Sequence, residues 1–215
     1  MNPPAQILKN GGIVLYPTDT LYGLGVDALN VDALKKLKEL KGRDEKKPIS
    51  IIVADIAMAK EYADVTPLAE KLATAFLPGK LTLVLSVRML AGKLPYGNFQ
   101  NASRKREQIP VLPEELTAGT RTVGIRIPKN IFCTNLARDF GRPLTATSAN
   151  VAGEEPQSSV SAILAQFGER AAMIDATIDA GELLESPPST VVDARGDRPV
   201  ILREGAISNA AIRAV

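Results

Sequence analysis

The stretch Thr122-Val123-Gly124-Ile125-Arg126-Ile127-Pro128 decides how this chain is read. Side chains alternate across a strand, so Val123, Ile125 and Ile127 share one face, and Thr122, Gly124 and Arg126 share the other. The first face is apolar and belongs in a core. The second lines up a hydroxyl, a bare backbone and a guanidinium. Glycine weakens a strand interior and marks a close approach of backbone or ligand. A merely wet outer face has no need of it between two polar groups, so this face is expected to bind a ligand.

Working outward, residues 131–140 read as a helix stopped by Gly141. Residues 144–150 read as a second strand, with Ala146, Ser148 and Asn150 on one small, hydroxyl-bearing face. Upstream, 81–87 alternates like a half-buried strand, and 56–63 and 67–76 read as helices. Residues 49–53 and 13–16 are short apolar runs and read as buried strands. A helix over 5–10 ends at Gly11-Gly12. Another, capped by Asn30 or Asp32, runs to Leu40 with Leu34, Leu37 and Leu40 inward and Lys35, Lys36 and Lys38 outward. Downstream, 158–167 and 207–215 read as helices and 172–175 as a strand, while 190–193 and 200–203 form a hairpin across the turn Arg195-Gly196-Asp197. Strands and helices alternate, which predicts an α/β fold with a mixed, twisted sheet in a single domain over 1–215. Residues 88–119 read as a flexible excursion carrying Arg104, Lys105 and Arg106, with a short helix near 113–116.

Two loops carry chemistry. Lys41-Gly42-Arg43-Asp44-Glu45-Lys46-Lys47-Pro48 places four cations in seven residues, between a helix and a buried strand. Such a loop sits where α/β sheets bind ligands, although taken alone it favours a solvated turn with Gly42 as helix C-cap. Thr18-Asp19-Thr20-Leu21-Tyr22-Gly23-Leu24-Gly25 offers hydroxyls followed by glycines, suited to a ligand near backbone or to a tight turn. It lacks the Gly-Lys-Ser/Thr ending of a P-loop.

Composition removes whole classes of chemistry. The 215 residues contain no histidine and one cysteine, Cys133. Ser-His and Cys-His nucleophile pairs are therefore absent, as are zinc sites and an internal disulfide. A single thiol fits a reducing cytoplasm. No apolar run nears the roughly 18 residues of a membrane span, and Met1-Asn2-Pro3-Pro4 has no signal-peptide pattern. The formal net charge is +2, so any nucleic-acid contact needs a local patch. Charge, hydroxyls and positioning must carry the work.

Taken together, the 17–25 loop, Lys41-Gly42-Arg43, Pro78-Gly79-Lys80-Leu81-Thr82, the 122–128 strand and Ser148-Ala149-Asn150 resemble the YrdC-like threonylcarbamoyl-AMP synthases, over about residues 5–207. The resemblance implies a twisted, mostly parallel sheet with a positively charged concave face. It implies conversion of L-threonine, bicarbonate and ATP, with Mg²⁺, into threonylcarbamoyl-AMP and pyrophosphate. A downstream threonylcarbamoyl-transferase complex, acting on tRNA, would consume the product in the cytoplasm, with no membrane involved. Carried over by motif, Thr20, Arg126 and Ala146 face threonine, while Arg43, Lys47, Thr122, Ser148 and Arg203 face ATP. Lys41 and Asn150 complete the two catalytic signatures with Arg43 and Ser148. The chain departs from the pattern in four places. Asp44 follows Arg43, Lys47 stands before Pro48 where asparagine is usual, Ile52 occupies the place of a histidine that approaches threonine in some relatives, and the 88–119 excursion is longer than expected. The longer members carry a further C-terminal domain, which would begin where this sequence ends. Three other readings share the fold: a non-catalytic protein binding tRNA or double-stranded RNA, a sister branch with another reaction, and carbamoyl transfer in hydrogenase maturation. Only Tyr22, Tyr96 and Phe99 are loop aromatics, too few for an RNA-stacking platform.

Overall fold

Side-chain caps set the helix boundaries. Asn30, Asp55, Thr66, Asn130, Ser159 and Ser208 each accept a backbone N–H from the first turn of the helix they precede. A computed structural model of the chain describes residues 3–44, 46–88 and 111–215. In order its elements are α1 (Pro3–Lys9), β1 (Val14–Pro17), β2 (Tyr22–Gly25), α2 (Val31–Lys41), β3 (Ser50–Ile52), α3 (Ile56–Tyr62), β4 (Ala63–Asp64) and α4 (Pro67–Phe76). There follow β5 (Leu81–Val87), α5 (Glu114–Thr117), β6 (Thr122–Arg126), α6 (Ile131–Phe140), β7 (Leu144–Ser148) and α7 (Val160–Phe167). A 3-10 helix (Gly168–Met173), β8 (Ala176–Thr177), β9 (Thr190–Asp193), β10 (Val200–Arg203) and α8 (Asn209–Arg213) complete the order.

The strands form a ten-stranded sheet in the order β10-β9-β5-β6-β3-β7-β2-β1-β8, with β4 beside one end of β5. The mixed α/β class is as expected, but parallel pairing is the minority. Among the described residues β1–β8, β3–β6 and β5–β9 are parallel, and the other six pairings are antiparallel. The cause is local. β1–β2 and β9–β10 are hairpins, and β5–β6 also returns antiparallel.

Three other expectations change. Residues 22–25, read as loop, are strand β2, and its glycines serve a ring. A methyl group on Gly25 would lie 2.7 Å from Tyr16 Cε1, and the Tyr16 hydroxyl is tied to the Thr145 carbonyl at 2.9 Å. Residues 172–175 are not a strand. The 3-10 helix runs through Met173, and Asp175 is held by the Ile13 N–H at 2.7 Å and by Lys36 at 2.9 Å, so pairing starts only at Ala176. Lys38, expected outward, is buried. The 88–119 excursion lies mostly outside the described residues, as do Tyr96, Phe99, Arg104, Lys105 and Arg106. The short helix expected near 113–116 is α5.

Strand alternation feeds two cores. Leu15, Leu24, Ile51, Leu83, Ile125 and Val192 pack with α2, α4, α7 and α8 on one face. Val14, Tyr16, Ile52 and Leu144 pack with α1 and α6 on the other. On that second face the two helices cover only the β1, β3 and β7 side of the sheet. Among the described residues no helix lies above the stretch from Ala146 and Ile52 across Arg126 to Thr82 and Val191. That uncovered stretch is the floor of a cavity.

Candidate active site

The cavity measures about 1310 Å³, and its floor is built from small or polar residues on neighbouring strands. The register places Thr82 and Ile52 on either side of Arg126, and Ala146 beside Ser50. Arg126 and Ser148 stand on strands two positions apart, roughly 10 Å across the sheet, and the register sets Arg126 level with Leu144, so a further offset of roughly 13 Å along β7 separates it from Ser148. One wall is the β1–β2 connection with Thr18 and Thr20, and another is Arg43 and Pro48. A strap, residues 182–189, forms the far side. The strap has little regular structure and is held from below. Tyr22 Oη donates to the Gly181 carbonyl at 2.7 Å and accepts the Ala180 N–H at 2.9 Å. Lys80 Nζ reaches Ser186 Oγ at 2.7 Å.

Three guanidiniums border this space. Arg126 is almost enclosed, and its Nη2 donates to Asp19 Oδ1 at 2.5 Å and to Thr20 Oγ1 at 2.9 Å. Its Nε is buried without a partner, and no bond is made by Nη1 among the described residues. Arg43 turns back from the Gly42 cap, where φ is 61°, and donates to the Pro48 carbonyl at 2.8 Å; its Nε is likewise buried and unpartnered. Arg203 donates to the Ser189 carbonyl at 2.8 Å, and Ser189 Oγ lies 2.9 Å from Thr82 Oγ1. Burial lowers the pKa of Arg43 and of Arg203, and the nearby Arg126 charge adds to the effect on Arg203. An anion placed among these groups would relieve that electrostatic cost.

The remaining expected residues divide. Thr20, Ile52, Ala146, Ser148, Arg43, Arg126 and Arg203 all border the cavity. Lys41 and Asn150 are not among the lining residues; they stand behind the wall. Lys41 is 2% exposed, and its Nζ donates to the carbonyls of Ser148 and Asn150 and, at 3.3 Å, to Asn150 Oδ1. Asn150 Nδ2 in turn donates to the carbonyls of Val151 and Glu154 at 3.0 and 2.7 Å, and its Oδ1 accepts from Ser148 Oγ. This pair fixes the backbone leaving β7 and so the placement of Ser148. Lys47 is exposed, and neither it nor Thr122 lines the cavity; Thr122 pairs with Thr120 Oγ1 at 2.9 Å. The basic loop is thus split: Lys41 inward, Arg43 to the cavity, Lys46 and Lys47 to solvent. Tyr22 is a buried strand residue, not a loop aromatic.

Gly124 has a different role from the one expected. A Cβ there would collide with Ser50 Oγ and sit 3.2 Å from Thr82 Cγ2, so the glycine makes room for Ser50 and not for a ligand. Gly124→Ala is expected to destabilise the protein by about 1–3 kcal/mol through overpacking. Chemical denaturation of Gly124→Ala against the Ser50→Gly/Gly124→Ala double variant checks this: the second substitution should recover part of the loss. Sequence reasoning did not single out Asp19, Ser50 or Ser189. The first could have been found from the polar run 18–20, and the last from its place just before a predicted strand.

A family model described as telomere recombination, covering Sua5, YciO and YrdC proteins, matches residues 6–205. Threonylcarbamoyl-AMP synthase of Bacillus subtilis is 34% identical over 212 residues, 98% of this chain and 55% of that protein. The chain therefore spans about half the length of that relative. A crystal structure of Pyrococcus abyssi Sua5 complexed with L-threonine superposes with a TM-score of 0.81 at 32% identity, over 98% of this chain and 55% of that one. Escherichia coli YciO superposes with a TM-score of 0.76 at 25% identity, over 97% and 90%.

Proposed function

The chain belongs to the Sua5, YciO and YrdC family, and from that premise we propose that it is an L-threonylcarbamoyladenylate synthase, a nucleotidyltransferase using L-threonine, bicarbonate and ATP. One observation carries the reading: Arg43, Arg126 and Arg203, two of them with buried unpartnered nitrogens, converge on one cavity that also presents Thr20 and Ser148. Its volume, about 1310 Å³, has room for an amino acid and a nucleotide together.

The chemistry asks little of side chains beyond charge and placement. The amine of threonine and bicarbonate give a carbamate and water. A carbamate oxygen then forms a bond to the α-phosphorus of ATP as the bond to the pyrophosphate oxygen breaks. The nucleophile is already an anion, so neither a covalent enzyme intermediate nor a histidine base is needed. Arg126 takes the threonine carboxylate, with Ile52 and Ala146 as the apolar floor beneath it. Arg43, Ser148 and Arg203 take the nucleotide, where negative charge shifts toward the departing pyrophosphate. Lys41 and Asn150 act by holding the Ser148 backbone. Lys47 and Thr122 would meet ATP only at its outer end. Mg²⁺ enters with the nucleotide as part of the substrate. The product would pass to a threonylcarbamoyl-transferase that modifies tRNA.

The test is pyrophosphate release from Mg²⁺-ATP and bicarbonate with each amino acid in turn, followed by the mass of the adduct. Threonine alone should give rapid release and a threonylcarbamoyl-AMP mass. Arg43→Ala should lower turnover by about 2–5 kcal/mol of transition-state stabilisation. Release that ignores threonine would replace this reading with the sister branch and another reaction, and salt-sensitive RNA binding with no release at all would replace it with the RNA-binding one.

A further inference from the structure

Asp19 lies in the β1–β2 connection, and its side chain is 8% exposed. Its two oxygens have different duties. Oδ1 accepts from Arg126 Nη2 at 2.5 Å, and Oδ2 accepts the backbone N–H of Lys129 at 3.0 Å. Lys129 follows β6 and leads into α6, so Asp19 is fastened to the backbone beyond Arg126 as well as to its guanidinium. Thr20 completes the grip. Thr18 Oγ1 gives its proton to the Leu21 carbonyl at 2.7 Å, so in the Thr18–Thr20 contact at 3.1 Å the Thr20 hydroxyl donates. Thr20 Oγ1 is then an acceptor for Arg126 Nη2 at 2.9 Å. Both hydrogens of Nη2 are taken, and among the described residues those of Nη1 are uncommitted beside the cavity.

We propose that Asp19 is a positioning residue for amino-acid recognition: it clamps one nitrogen of Arg126 so that the donors left over meet the α-carboxylate of the substrate. This rests on the reading of Arg126 as the threonine-carboxylate group. The chemistry of the clamp requires a carboxylate. Both partners are donors, they approach opposite oxygens, and an asparagine offers one acceptor and one donor. The carboxamide of Asp19→Asn would satisfy Arg126 or Lys129, never both, and the guanidinium would lose its fixed heading. Because the second oxygen is anchored to backbone, Asp19 stays in place when a substrate carboxylate arrives and is not exchanged for it.

The experiment compares L-threonine with L-threoninamide, which lacks the carboxylate charge, in pyrophosphate release by the full chain. Wild type is expected to favour threonine by on the order of 100-fold in kcat/KM, since the amide leaves the remaining buried donors of Arg126 without a carboxylate to meet them. Asp19→Asn should reduce that preference to within about 5-fold, with the KM for ATP unchanged. Asp19→Glu keeps both acceptor oxygens but shifts them by one methylene; it should lower the preference by a smaller factor, and it serves if the asparagine variant does not fold. Equal losses for acid and amide, with their ratio intact, would mean that Asp19 only supports the fold, and would overturn the proposal. So would tighter threonine binding in Asp19→Asn, which would make Asp19 a competitor of the substrate. Arg126→Ala is the control. If it leaves the acid-to-amide ratio at the wild-type value, the reading of Arg126 itself has failed; if it abolishes the ratio while Asp19→Asn does not, only the clamp has failed.

Discussion

Arg126→Ala is expected to lower kcat/KM for threonine about 30- to 5000-fold, the equivalent of about 2–5 kcal/mol. The size follows from where the charge sits. The Arg126 side chain is 11% exposed, so water does little to screen it, and a carboxylate brought to it exchanges solvent for a fixed donor. The loss has a second part, because alanine leaves Asp19 buried without its cation. Arg126→Lys should recover little. An ammonium can meet Asp19 or the substrate, but it lacks the spread of nitrogens that lets one group serve Asp19, Thr20 and a ligand together. Initial rates at varied threonine and fixed saturating ATP measure this, with the KM for ATP as the internal reference. A change below about threefold for Arg126→Ala would remove Arg126 from threonine recognition.

Lys41→Met is expected to cost about 3–5 kcal/mol of stability and to abolish most activity with it. Methionine fills the space but donates nothing, so the Ser148 and Asn150 carbonyls lose their buried partner. The same substitution carries a pH signature. Burial, with the neighbouring Arg43 charge second, brings the Lys41 pKa down from 10.5 to about 7. Between those values the unfolded chain holds a proton that the folded chain has released, so unfolding takes one up. The contribution of Lys41 to stability therefore rises with pH across that window, by at most about 1.4 kcal/mol per pH unit, and is flat below it. Urea titrations of both proteins at pH 6, 7, 8 and 9 should show their difference in stability widening above pH 7. A difference that narrows would show that the folded state keeps the proton more firmly than the unfolded chain does.

What could be read in the sequence was whatever depends on near neighbours. The 122–126 strand and its polar face, the α6 helix with its Gly141 stop, and the β9–β10 hairpin follow from alternation and turn residues. Arg43, Arg126, Ser148 and Arg203, singled out through the family resemblance, share a cavity. What could not be read depends on distant partners. Gly25 and Gly124 look like clearance for a ligand until Tyr16 and Ser50 are seen filling the space. Lys41 looks like one more surface cation until the end of β7 and the loop after it, 107 and 109 residues away, supply its acceptors. Asp19 and Arg126 are likewise 107 residues apart. The strap over 182–189 has no periodicity to betray it, because its place is set by single bonds from Tyr22, Lys80 and Arg203.

The cavity floor draws on β6, β3 and β7, but its walls come from Thr18 and Thr20, early in the sequence, and from Arg203, far downstream of them. On the proposed reading, no portion of the polypeptide emerging from a ribosome holds the substrates before Arg203 has cleared the exit tunnel and β10 has joined β9, and a chain stalled even a little short of that arginine lacks one side of its cavity.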